Sequence, residues 1–183
     1  VVLAKRIHSA DLQLMEVIGQ GAFGQVHRGR WRGEPVACKR MHHSRLNEHD
    51  LAVAIRSSHT LLSLPSHPNI VALRGVAWSC ESALVVSVME LCAGGTLSHA
   101  LDRVADDGSG RPLLGWLSHK LPIAAGIAQG LAFLHGQSPP IVHRDIKPDN
   151  LLLAADLRSV KIADLGLCRP LAADGARSLS VGT

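Results

Sequence analysis

Glycines at positions 19, 21 and 24 are followed by strand-forming residues, not by a helix, and this order restricts which phosphate-binding folds the chain can adopt. In Gly19-Gln20-Gly21-Ala22-Phe23-Gly24 the absent Cβ atoms let backbone N–H groups approach phosphate oxygens closely. The same spacing opens dinucleotide-binding units, but there the third glycine starts a helix. Here Gln25 to Trp31 suits a strand and Arg32-Gly33-Glu34-Pro35 suits a turn. The segment reads as a β-turn-β flap, which argues against a dinucleotide-dependent oxidoreductase. No Gly-Lys-Ser/Thr is present, so a Walker-type loop is excluded.

The flap leads into Val36-Ala37-Cys38-Lys39, a second strand that carries a lysine fifteen residues past Gly24. An ammonium group at that distance is a compact charge suited to phosphate. Asn47 or Asp50 is expected to cap a helix running to about Leu64, ended by Pro65 and Pro68. Ile70 to Val76 and Ala83 to Met89 read as further strands. After Ala93-Gly94-Gly95 the pattern turns helical. A short helix is expected from Thr96 to about Val104, and a long one from Trp116 or Ser118 to His135. Short strands follow around Leu151 to Leu153 and Val160 to Ile162. The apolar stretch Leu121 to Leu134 is too short to span a bilayer and reads as a buried helix.

Composition narrows the partners. Hydrophobic residues make up 46% of the 183, but aromatic residues only 3%, so the core is aliphatic and a stacking platform for single-stranded nucleic acid is not supported. The net charge of +4 is scattered with no long basic run. Cys38, Cys80, Cys92 and Cys168 form no Cys-x-x-Cys pair, which argues against a zinc site. Unpaired cysteines without a signal peptide fit a reducing, intracellular and cytoplasmic setting.

The densest chemistry lies in His143-Arg144-Asp145-Ile146-Lys147-Pro148-Asp149-Asn150, followed by Asp164-Leu165-Gly166. An Asp and an Asn at this spacing, with a further Asp before Gly, can hold divalent metal on a polyphosphate.

His-Arg-Asp-x-x-x-x-Asn and Asp-x-Gly, together with the flap and Lys39, resemble the eukaryotic-type protein kinase domain from about Leu12 to Thr183. The wording from Gly29 to Lys39 and His67-Pro68-Asn69-Ile70-Val71 is similar to the tyrosine-kinase-like group of Ser/Thr kinases. The resemblance implies an α+β fold of two lobes within residues 1–183. Residues 9–91 would form a strand-rich small lobe, and 92–183 an incomplete helical large lobe. It implies ATP and Mg²⁺, a protein substrate, no nucleic acid, and regulatory partners that the sequence does not name.

The residue roles follow from the same resemblance. Asp145 would orient or deprotonate the attacking hydroxyl, and Lys147, the mark of a Ser/Thr-type loop, would neutralise charge on the γ-phosphate. Asn150 and Asp164 would bind Mg²⁺. The flap (Gly19, Gln20, Gly21, Ala22, Phe23, Gly24) and Lys39 would hold phosphates. Adenine would lie against Ile18, Val26, Ala37 and Leu152, with Met89 as gatekeeper and Glu90-Leu91-Cys92 as hinge. His143 and Leu165 would join a packed column. Ser178, Ser180 and Thr183 are candidate phosphosites, with Arg144 as partner.

Three departures stand out. The glutamate expected to pair with Lys39 would fall at Ser58 or Ser57, and neither is acidic; Glu48 and Asp50 are too far along the helix. Lys39 is then expected to be loosely held or paired with Asp164. Leu165 replaces the usual Phe. The family's Ala-Pro-Glu segment and later helices are absent, so the chain alone is expected to be a truncated domain, poorly soluble or inactive. These departures leave a second reading open, a nucleotide-binding scaffold of kinase fold with weak or no transfer activity.

Overall fold

The structure, a computed structural model, describes residues 6–21, 24–41, 62, 64–79, 84–104, 110–165 and 169–170. Six strands form the first sheet: β1 (Arg6–Ile7), β2 (Leu12–Gly21), β3 (Gly24–Trp31), β4 (Glu34–Met41), β5 (Leu73–Ser79) and β6 (Leu84–Glu90). Their spatial order is β1-β5-β6-β4-β3-β2, antiparallel except where β1 runs parallel to β5. The β2–β3 hairpin contains the glycine flap, as its strand-rich sequence predicts.

Period-two alternation assigns the two faces of this sheet. Val36, Cys38, Val86 and Val88 are buried together with Ile7 and Ala77, and Leu12 and Trp31 pack against them. Full burial of Cys38 pushes its thiol up to about 11, so it is inert. The intervening residues face the other way. Ala37 lies opposite Met89, and Lys39 lies opposite both Val26 and Ser87. Directly opposed residues share a face, so Val26, Ala37, Lys39 and Met89 line one surface.

The second half contains β7 (Gly95–Thr96), α1 (Leu97–Leu101), a wide turn at Trp116–Lys120, α2 (Leu121–His135), β8 (Ile141–Val142), β9 (Leu151–Leu153), β10 (Val160–Ile162) and β11 (Arg169–Pro170). Thr96 caps α1 by accepting the His99 N–H at 3.2 Å. α1 ends at Leu101, short of the expected Val104. The long helix is regular only from Leu121, and Pro122 sits in its first turn, where no N–H is needed. α2 buries Ile123, Gly126, Gly130 and Leu134 against the β9–β10 hairpin, in a core that includes Leu151, Leu153, Val160 and Ile162. Between β9 and β10 the Asp156 carboxylate accepts the Arg158 and Ser159 N–H groups, which hold its pKa down at about 2. Among the described residues no helix is long and apolar enough to cross a membrane.

Residues 67–72 join the two halves. Ile162 donates its N–H to the Asn69 carbonyl at 2.8 Å, and Val71 donates to the Ile162 carbonyl at 3.0 Å. The Asn69 side chain donates to the Val160 carbonyl at 2.9 Å. These bonds explain why β5 starts at Leu73 and not at the expected Ile70: the backbone ahead of it pairs with β10. Two glycines let α2 come this close. A Cβ on Gly126 would lie 2.7 Å from Asn69 Nδ2 and 2.8 Å from Val160 Cγ1, and one on Gly130 would lie 2.8 Å from Ile162 Cδ1.

Alanine at a free helix position gains up to about 1 kcal/mol over glycine. At Gly126 the overlap with a stiff Val side chain and a bonded amide reverses the sign. Gly126→Ala is expected to cost about 1–2 kcal/mol net, read as a lower urea midpoint at unchanged slope.

The expected helix between Asn47 and Leu64 falls almost wholly outside the described residues. β1 is not anticipated by the sequence, and it adds Arg6–Ile7 to the sheet ahead of residue 9.

Candidate active site

The lysine face of the first sheet meets the 163–165 segment. Lys39 Nζ lies 2.6 Å from Asp164 Oδ1, with the two residues 125 positions apart. This is the pairing expected when neither Ser57 nor Ser58 supplies an acid; residues 42–61 lie outside the described residues. Both partners are partly shielded, at 23% and 33% side-chain exposure, so the pair is screened less than a surface ion pair.

Asp164 is positioned through the loop that β8 leads into. His143 is buried, and its Nδ1 accepts the Asp145 N–H at 3.2 Å. That assigns the ring proton to Nε2, which donates to the Ala163 carbonyl at 2.9 Å. In return Ala163 donates its N–H to the Asn150 carbonyl at 2.8 Å. Two bonds of opposite sense thus fix the 163–165 segment to the loop. Leu165 is buried in the large core, so leucine fills the position where Phe is usual. Arg144 and Asp164 both take left-handed backbone conformations, φ 70° and 55°. Such residues cost of order 1 kcal/mol or more each and persist where surrounding contacts enforce them.

Within the loop, Pro148–Asn150 form a single tight turn, closed by the Asn150 N–H donating to the Lys147 carbonyl at 2.9 Å. The turn brings Asn150 back over Asp145. Its side-chain Nδ2 donates to the Asp145 carbonyl and to Oδ2, both at 2.8 Å. Lys147 Nζ also contacts Asp145 Oδ2, at 2.8 Å. The Lys147 hydrogen bond, with Asn150 adding to it, holds the Asp145 carboxyl below the usual carboxylate range. The same bond holds Lys147 above the usual lysine range. A carboxylate stabilised in this way is a weak base. It suits orienting a hydroxyl and taking its proton late, and it does not suit early deprotonation.

A lowered pKa means that Asp145 stays ionised until the pH falls through that lowered value. Removing Lys147 removes the largest cause, so Lys147→Met is expected to raise the midpoint of a ¹³C-detected titration of the Asp145 carboxyl. An unchanged or lower midpoint would contradict the bond.

The donor set fits Mg²⁺. Both hydrogens of the Asn150 amide are directed at Asp145, which leaves Oδ1 as its acceptor. Asp164 Oδ1 is taken by Lys39, which leaves Oδ2. Among the described residues no group of three or more His, Cys, Asp or Glu side chains could hold a metal alone. Two hard oxygens without a full protein cage suit Mg²⁺, which keeps water and phosphate oxygens in its remaining positions.

The other residues singled out in the sequence take the following places in the fold. Gly19, Gln20, Gly21 and Gly24 lie at the tip of the β2–β3 hairpin, and Ile18 precedes them at 43% exposure. Ala22 and Phe23 lie outside the described residues, as do Gly166, Ser178, Ser180 and Thr183. Val26, Ala37 and Met89 share the Lys39 face, Glu90 ends β6, and Cys92 follows in the connection to β7. Burial, with the Glu90 carboxylate adding to it, pushes the Cys92 thiol up to about 11. Leu152 sits on β9, partly buried. Asn69 enters the sequence reading only within the His67-to-Val71 stretch, with no role of its own, and Lys161 is not named in it. Lys161 carries a weak signal, a charge between two strand residues that are both buried, Val160 and Ile162.

Residues 12–181 match the family model described as protein tyrosine and serine/threonine kinase. The chain is 38% identical to human mitogen-activated protein kinase kinase kinase 11 over 175 residues, which covers 87% of this chain and 18% of that protein. It is 36% identical over 163 residues to a protein of Acanthamoeba polyphaga mimivirus named as serine/threonine-protein kinase/receptor R826, covering 89% of this chain and 9% of that one. Mitogen-activated protein kinase kinase kinase 7 of Drosophila melanogaster is 35% identical over 164 residues, covering 89% of this chain and 22% of that protein. The chain thus spans less than a quarter of the length of each of these relatives.

Proposed function

The chain belongs to the protein tyrosine and serine/threonine kinase family, and from that premise we propose that its cleft transfers the γ-phosphoryl group of ATP to a serine or threonine hydroxyl of a protein. The observation that carries the reading is the convergence of Lys39 and Asp164 with Asp145, Lys147 and Asn150 through one hydrogen-bonded unit. Each group in it matches a demand of phosphoryl transfer, where positioning and charge stabilisation supply nearly all the catalysis.

ATP binds with its base between Ala37 and Val26 on one side and Leu152 on the other. Hinge backbone at Glu90 and Cys92 meets the base edge, and Met89 limits the depth of the slot. The glycine flap offers N–H groups to the phosphates, and Lys39 holds the α- and β-phosphates. Asn150 and Asp164 would hold Mg²⁺, which would supply positive charge to offset that of the phosphates. Asp145 accepts a hydrogen bond from the substrate hydroxyl and aligns its oxygen with the γ-phosphorus. As the O–P bond forms and the bond to the β-phosphate oxygen breaks, the hydroxyl proton passes to Asp145. Lys147 shields the charge on the transferred group. The lobe boundary is taken at Leu91/Cys92, and the setting as intracellular.

Ser57 and Ser58, where an acid would brace Lys39, favour a second reading as a nucleotide-binding scaffold. Against it, a scaffold has no chemical need of Asp145, Asn150 and Asp164 together. Phosphoamino-acid analysis of a generic protein labelled by the intact protein with γ-labelled MgATP separates these outcomes. Phosphoserine or phosphothreonine is expected. Phosphotyrosine alone would remove the Ser/Thr assignment that rests on Lys147, and ATP binding without label in any residue would favour the scaffold.

A further inference from the structure

Glu90 and Lys161 form an ion pair that none of the steps above uses. Lys161 Nζ lies 3.0 Å from Glu90 Oε1, and the same oxygen accepts the Ala72 N–H at 2.7 Å. The Glu90 N–H donates in turn to the Ala72 carbonyl at 3.0 Å. Ala72 follows Val71, which is bonded to Ile162, the neighbour of Lys161. The contacts therefore close a ring from the end of β6, through the 67–72 segment, to β10. The Lys161 and Glu90 side chains are 22% and 21% exposed, so water and salt weaken this pair less than a surface pair.

The register of the β9–β10 hairpin shows what the ring controls. Lys161 is directly opposite Leu152, so the two side chains leave the hairpin on the same face. Leu152 is the floor of the base slot, and Glu90 directly follows Met89, which lies opposite the ceiling residue Ala37. The pair thus ties the end of the ceiling strand to the strand beside the floor, without entering the slot.

We propose that Glu90–Lys161 is a positioning pair that sets the separation of floor and ceiling, and so the affinity for the adenine base. The proposal rests on the ATP-site reading above. It assigns to Lys161 an effect on ATP affinity and not on the chemical step, because its ammonium is paired with Glu90 at the end of the ceiling strand.

The test compares wild type, Lys161→Met, Lys161→Arg, Glu90→Gln and the Lys161→Met/Glu90→Gln double variant in the intact protein. Direct MgATP binding and steady-state transfer are both measured. Methionine keeps the apolar stem and removes the charge, whereas arginine restores it. Lys161→Met is expected to weaken ATP binding by about three- to tenfold, a range typical of losing one partly shielded charge pair. The KM for the protein substrate, and kcat at saturating ATP, should stay within about twofold. Lys161→Arg should bind ATP within about twofold of wild type, and the double variant should be no weaker than the worse single variant, as expected for one shared interaction.

Unchanged ATP affinity in Lys161→Met would overturn the proposal, as would a fall in kcat at constant affinity or fully additive losses in the double variant. A wild type that binds ATP but transfers no phosphate would remove the kinase reading alone, since the binding comparison still decides the role of the pair. A wild type that binds no ATP would remove both.

Discussion

Asp145→Asn is expected to lower phosphoryl transfer by about 10²–10⁴-fold while leaving ATP affinity within about twofold, the span attributed to a positioned acid or base. Asparagine has nearly the same shape, and its oxygen can still accept from the Asn150 amide, now 2.8 Å from Asp145 Oδ2. It carries no charge for Lys147, whose Nζ is 2.8 Å away, and it cannot take a proton. The loss should therefore appear in kcat, with KM for ATP little changed, because Asp145 touches the hydroxyl and not the nucleotide. Single-turnover transfer at saturating MgATP, set beside direct binding, separates the two terms. A loss below about tenfold would mean that Asp145 is not at the reacting hydroxyl. Equal loss of binding would mean that the loop had collapsed.

Asp164→Asn should act on a different step. The substitution removes the only charged member of the proposed Mg²⁺ pair and the carboxylate that holds Lys39 at 2.6 Å. Metal-assisted charge stabilisation contributes several kcal/mol, so transfer is expected to fall by about 10³-fold or more. Unlike Asp145→Asn, this variant should also uncouple nucleotide from metal. Wild-type affinity for ATP should rise as Mg²⁺ is titrated in, and the Asp164→Asn curve should be nearly flat. A variant with the same Mg²⁺ dependence as wild type would place the metal elsewhere.

The legible parts of this protein are those written in local spacing. The flap is recognisable because its glycines and following strand lie within a short stretch, and it forms the β2–β3 hairpin. The Asp145 loop is recognisable because Pro148 and Asn150 must turn back on Asp145, and the turn does so. The Lys39–Asp164 pair could be anticipated only by elimination, from the serines at 57 and 58. Contacts set by tertiary register were not legible. Ile7 is buried in the first core because β1 finds the open edge of β5, which nothing in Arg6–Ile7 announces. Gly126 and Gly130 look like helix-weakening residues in sequence, yet they are the openings through which Asn69 reaches α2. The Asn69 amide finds the Val160 carbonyl 91 residues away, and Glu90 finds Lys161 only once β6 and β10 are placed. α1 ends at Leu101, short of the expected Val104, in a stretch where no glycine or proline marks a stop.

Incubating the intact protein with γ-labelled MgATP and a generic protein substrate tests the central claim most directly, with Asp145→Asn prepared alongside. The account predicts label in the substrate with wild type and a loss of at least about a hundredfold with the variant. Equal label from the two proteins, or ATP bound by wild type with no label transferred, would contradict it.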